Sequence, residues 1–218
     1  MKPVKIAITD YGVGNLYSLV RALKFFNASA EITEDADSLD GFDGIILPGV
    51  GSFAAGMRGL KIRGLAEKIK KLAGEGKPIL GICLGAQLLL TEGHEFGTFN
   101  GLDIIKGKVI KFPPLENKEK IPHIGWNKLS LPKGGSWGKT VLDGIKEESD
   151  VYFVHSYYLD PESTGDVLAL TDYGGFAFCS AVKKGNVYGC QFHPEKSGKV
   201  GLKIIDNFLK ICGGQLSV

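Results

Sequence analysis

The sequence predicts an α/β protein: a doubly wound, mostly parallel sheet flanked by helices, with an added antiparallel β portion in the C-terminal half. Three observations carry this. Short apolar runs at residues 4–9, 28–33, 44–48 and 78–82 alternate with helix-length segments, the rhythm of a parallel sheet wound by crossover helices. The runs at 44–48 and 78–82 are wholly apolar apart from glycine, as strands buried on both faces must be. Beyond residue 100 the helical period gives way to β-rich runs separated by turn residues, which pair antiparallel more readily. A chain of 218 residues with 44% hydrophobic and 23% charged residues reads as one domain, 1–218, able to bury a core without staples.

Residues 4–9 form a first, central strand, and residues 16–26 a helix with Leu16, Leu19, Val20, Leu23 and Phe26 on one face. The turn between them, DYGVGN at 10–15, contains G-x-G, but Tyr17 stands where the third glycine of a dinucleotide fingerprint belongs. After strand 44–48 comes PGVGSF at 48–53, then a helix over 62–73. Strand 78–82 leads into a helix over 84–91. Residues 102–112 alternate loosely, and 113–120 read as a surface loop. Segments 151–159, 168–171, 176–182 and 186–192 are β-rich, the last two joined as a hairpin at 183–185. An amphipathic helix over 200–211 closes the chain.

Balanced charge, +2 from 26 basic and 24 acidic residues, argues against a nucleic-acid or membrane-surface footprint. Four cysteines without a C-x-x-C pair suit reduced thiols in a cytoplasmic protein. The N-terminal apolar run is too short for a signal peptide, and the longest apolar stretch is too short to span a bilayer. The loop GGSWGKT at 134–140 lacks the leading glycine of a phosphate loop, with Lys133 in its place. Cys190 and His193 have ligand spacing but no second pair, so no metal and no cofactor is expected.

The chemistry centres on Cys83, set between Gly81 and Gly85 where a strand turns into a helix. Such an elbow lifts a nucleophile above the sheet edge, and the helix start offers N–H groups, that of Leu84 first, to an anion. His193 ends strand 186–192 and is followed by Pro194 and Glu195; residues two apart in extended chain share a side, so Glu195 can orient the imidazole as general base. His94, among Glu92 and Glu95, reads as solvated. The glycines of residues 48–51 can aim N–H groups at a developing oxyanion. Two of them flank Val50, which lets a peptide plane flip; its N–H is expected to rest turned away, with ligand and partner favouring the turned-in state.

GICLGAQ at 81–87 together with HPE at 193–195 resembles the triad of the class I glutamine amidotransferases. The finer motifs, DYGVGN, PGVGSF, PHIGWN at 122–127, FVHSY at 153–157 and QFHPEKS at 191–197, are similar to those of the glutaminase subunits serving histidine biosynthesis. The resemblance implies a flavodoxin-like sheet and a glutamyl thioester on Cys83. It implies Gly49, Val50, Gly51, Leu84, Gln87, Glu95, Ser156 and Tyr157 around glutamine. It also implies a heterodimer in which ammonia passes to a (β/α)8 cyclase making imidazole glycerol phosphate and aminoimidazole carboxamide ribotide. Asn15, Trp126, Tyr152 and Lys196 are the candidate docking face, although Trp126 and Tyr152 would serve equally as core and Asn15 as a turn or cap residue. Another class I amidotransferase subunit, or a free-standing γ-glutamyl Cys hydrolase, would carry the same elbow.

Overall fold

The computed structural model describes residues 3–12, 16–115 and 119–213; Asn15 lies outside them. Among the described residues an eleven-stranded sheet runs β2-β1-β3-β4-β13-β12-β10-β7-β5-β6, with β11 paired to β12. Its parallel half comprises β1 (Lys5–Thr9), β2 (Ser29–Thr33), β3 (Gly44–Leu47), β4 (Ile79–Ile82) and β13 (Val187–Cys190). The antiparallel portion comprises β7 (Ile105–Lys111), β10 (Tyr157–Pro161), β11 (Val167–Tyr173) and β12 (Phe176–Lys184). β5 (Leu90–Gly93) and β6 (Phe99–Asn100) finish that edge. A separate two-stranded sheet pairs β8 (His123–Lys128) with β9 (Asp150–His155).

Period-two alternation divides the core between the faces of the sheet. Ile6, Ile8, Ile46, Leu80 and Ile82 face helices α1 (Tyr17–Phe25) and α5 (Gly198–Cys212). Ala7, Ile45, Leu47 and Ile79 face α2 (Phe53–Ile62), α3 (Leu65–Gly74) and α4 (Leu84–Leu88). All nine of these strand residues are buried to 2% exposure or less. Each Ile or Leu among them contributes roughly 1.5–3 kcal/mol, which fixes the strand register. Because β1, β3, β4 and β13 run parallel, the chain leaves all four at one edge, where open α/β sheets place their sites.

Four details differ from the sequence reading. β1 lies one strand in from the edge rather than at the centre. Helix α2 was hidden by Gly56 and Gly59, poor helix formers that serve contact: a Cβ on Gly59 would sit 2.1 Å from the Tyr11 carbonyl oxygen. The elbow helix ends at Leu88 rather than at residue 91, since Leu90 already pairs with Ile105 in β7. The run 151–159 breaks at Ser156 into β9 and β10, which belong to different sheets. Among the described residues no helix is long and apolar enough to cross a membrane.

Candidate active site

Cys83 sits at φ +53°, ψ −109°, in the positive-φ region that a non-glycine residue enters at a cost of roughly 1–3 kcal/mol. Its neighbours over-determine that geometry. The Cys83 N–H donates to Cys190 at 2.7 Å, and its carbonyl accepts from the Gln87 N–H at 3.1 Å. The flanking glycines are required by space: a Cβ on Gly85 would fall 1.6 Å from the Leu47 carbonyl oxygen, and one on Gly81 2.7 Å from the Ala86 nitrogen. The thiol is thereby raised at the mouth of a cavity of about 260 Å³ lined by Val50, Gly51, Leu84, Gln87, Glu95 and Tyr157, among others.

His193 follows β13, and Glu195 is the middle residue of a 3-10 turn (Pro194–Lys196). Glu195 Oε1 accepts from His193 Nδ1 at 2.8 Å, while His193 Nε2 is buried with no partner among the described residues, left free for chemistry. Burial disfavours the imidazolium, but the neighbouring Cys83 and Glu195 side chains outweigh it and hold His193 up at about 9. Ser197 Oγ donates to the His193 carbonyl at 2.7 Å and accepts from the Tyr152 N–H at 2.9 Å, clamping the turn to β9.

The oxyanion loop is in a specific state. The Leu84 N–H donates to the Gly49 carbonyl at 3.3 Å. In a trans peptide the C=O and N–H point oppositely, so the Val50 N–H is turned away from Leu84. The Pro48 carbonyl accepts from the buried Tyr11 hydroxyl, whose oxygen fills the space a Cβ on Gly49 would need. Glu95 Oε2 accepts from the Phe53 N–H at 2.6 Å, taking the place of a side-chain cap on α2. Gln87 Nε2 donates to the Tyr157 carbonyl at 3.3 Å and to Gln191 Oε1 at 3.0 Å. Ser156 lies at the strand break and lines the same cavity.

A buried histidine pair backs this wall. His155 Nδ1 meets the Tyr157 carbonyl at 2.8 Å, so it carries a proton, and His155 Nε2 accepts from His123 Nδ1 at 3.1 Å. Burial pushes His155 down to about 3, with the Tyr157 carbonyl opposing, and pushes His123 down to about 4. On the opposite side of β8 the side chains of Ile124 and Trp126 are 59% and 57% exposed. Trp126 stands edge-on to Tyr152 with centroids 6.0 Å apart, and Lys196 Nζ lies 5.9 Å from the Tyr152 ring. Trp126 is therefore a surface residue, not core. His94 is exposed and bonded to Glu92 at 2.9 Å.

Tyr11, His123, His155, Gln191 and Ser197 are site neighbours that sequence reasoning did not single out. Gln191 carried a signal: it precedes His193 by two positions. In the β8–β9 pair, His123 stands opposite His155 and Trp126 opposite Tyr152.

The model of the family "Glutamine amidotransferase class-I" matches residues 7–212. The chain is 48% identical over 210 residues to "Imidazole glycerol phosphate synthase subunit HisH 1" of Legionella pneumophila (strain Paris), covering 94% of this chain and 99% of that one. It is 47% identical over 203 residues to the HisH subunit of Caldanaerobacter subterraneus subsp. tengcongensis, covering 93% and 96%. A solved structure from Thermotoga maritima described as PurLQS superposes with a TM-score of 0.73 at 22% identity, covering 97% of this chain and 99% of that one, a likeness of fold.

Proposed function

Since this chain belongs to the class I glutamine amidotransferase family, we propose that it is the glutaminase subunit of an imidazole glycerol phosphate synthase, acting in histidine biosynthesis. The observation that carries the chemistry is Cys83 at the elbow beside a buried His193 that Glu195 holds at 2.8 Å. The Cys83 thiolate attacks the side-chain amide carbon of glutamine. As the C–N bond breaks, His193 Nε2–H protonates the leaving nitrogen, releasing ammonia and leaving a glutamyl thioester. Water then adds to the thioester with His193 taking its proton. The C–S bond breaks, and glutamate departs.

The anionic intermediate needs two donors, the N–H groups of Leu84 and Val50. In the present geometry the Gly49 carbonyl occupies Leu84 and would repel the oxyanion. Rotation of the Gly49–Val50 peptide exchanges that acceptor for a donor, and a donor of this kind is worth about 3 kcal/mol in the transition state. Gln87 and Glu95 line the cavity where the polar ends of glutamine would lie, with Gly51, Ser156 and Tyr157 completing it.

Ammonia would pass to a (β/α)8 cyclase subunit docked on Trp126, Tyr152 and Lys196, a half-exposed aromatic and cationic face next to the His193 turn, to which Ile124 adds apolar area. The test is reconstitution with that cyclase. Cys83→Ala should abolish product formation from glutamine while sparing formation from added ammonium salt. Cyclase and ribotide together should raise the glutaminase turnover of the unaltered chain. Glutamine-dependent synthesis by Cys83→Ala, or equal turnover with and without the cyclase, would overturn the respective half of the proposal.

A further inference from the structure

Five side chains and one carbonyl form an unbroken hydrogen-bonded string from the nucleophile to β8, and a single anchor sets its direction. A backbone carbonyl only accepts, so the Gln87 atom at 3.3 Å from the Tyr157 oxygen must be the amide nitrogen. The same nitrogen spends its second hydrogen on Gln191 at 3.0 Å, which requires an oxygen there. The other end of the Gln191 amide is then its NH2 group, and it faces Cys83 Sγ at 3.9 Å. His155 reinforces the anchor by donating to the same carbonyl at 2.8 Å. With both Gln87 hydrogens committed, its oxygen has no partner among the described residues and belongs to a side chain lining the glutamine cavity. Gln191 itself is 0% exposed, so both contacts are made away from bulk water.

We infer that Gln191 is a positioning residue for the reaction: its amide donates to the Cys83 sulfur and, by accepting from Gln87, holds the Gln87 oxygen toward the ammonium group of glutamine. The inference rests on the reading of Cys83 as the glutamine-attacking thiol, and it deepens that reading by assigning one residue two tasks. Cys83 Sγ faces two polar groups at 3.9 Å: the Val154 carbonyl, to which the thiol donates, and the Gln191 amide, a donor that supports the sulfur once its proton has left. An oxygen aimed into the cavity favours an ammonium-bearing substrate over an analogue lacking that group, because the lost bond leaves the acceptor unpaired.

The experiment uses the full chain and iodoacetamide, with the rate of Cys83 alkylation followed against pH by mass spectrometry of the Cys83 peptide. Gln191→Met removes both the donor and the acceptor; Gln191→Glu keeps the acceptor for Gln87 but replaces the donor with an acidic group. Circular dichroism and Tm identify folded variants. Both variants should alkylate more slowly near neutral pH, by about tenfold for a shift of one pH unit in the profile. The glutamine concentration that halves the rate should rise severalfold in Gln191→Met and stay near the unaltered value in Gln191→Glu. A folded variant with the unaltered pH profile would overturn the thiolate role, and unchanged protection in Gln191→Met would overturn the Gln87 role. Protection of the unaltered chain by glutamine checks the glutaminase reading separately; its absence would sink that reading whatever the variants do.

Discussion

His193 and His155 are both buried, 2% and 6% exposed, and both lie near Cys83, yet they are driven in opposite directions. His193 is held up at about 9 because the Cys83 and Glu195 side chains overcome its burial. His155 is pushed down to about 3 because burial dominates and only a neutral carbonyl opposes it, while His123 and His193 add to the depression. Burial therefore does not decide charge; the partner does. The result is a division of labour: one imidazole held charged with its Nε2 unpartnered among the described residues, and a neutral pair that supports the Tyr157 carbonyl beside the cavity.

Glu195→Gln would strike this contrast hardest. Without the carboxylate His193 should titrate closer to an ordinary histidine, as NMR of labelled imidazole would show, and kcat with glutamine should fall on the order of 10⁴-fold. Stability should shift as well. A raised folded pKa contributes stability that is full below the unfolded value of about 6.5 and is lost as pH rises through about 9, so the variant should lose most stability at and just below about pH 6.5 and least above about 9.

Gly85→Ala tests the frame on which the contrast depends. A Cβ 1.6 Å from the Leu47 carbonyl must displace β3 or the elbow, and urea unfolding should report a loss of up to about 3 kcal/mol. The neutral pair has its own signature of opposite sign. His155 and His123 bind protons in the unfolded chain at about 6.5 but resist them in the fold until about 3 and 4. Stability should therefore decline as pH falls below about 6.5, and His123→Phe, which stays within the Phe153 and Tyr173 stack, should flatten that decline by roughly 1 kcal/mol. The effect closest in size lies on the outward side of the same strand: Trp126→Ala should weaken cyclase binding by about 1 kcal/mol, read by titration calorimetry.

Much of this was legible in the sequence because it is local. Gly81, Cys83 and Gly85 sit within one turn, and His193 and Glu195 are two residues apart. The parallel order of β1, β3 and β4 follows from apolar runs spaced by crossovers. What escaped is non-local. Gln191 meets Gln87 across 104 positions, and Tyr11 reaches Pro48 across 37. The His123–His155 pair arises from strand register, which periodicity alone does not set. Helix α2 was obscured because Gly56 and Gly59 were chosen for close approach at the expense of helix propensity. The break at Ser156 left no signal in an otherwise continuous β-rich run.

The central claim is covalent, and trapping tests it most directly. The chain, combined with the cyclase and ribotide, would be mixed with glutamine, quenched in acid within one turnover and digested for mass spectrometry. A glutamyl adduct on the Cys83 peptide that accumulates and decays with glutamate release is the expected result. Full glutamine turnover with no adduct, or with the adduct on Cys179, Cys190 or Cys212, would contradict it.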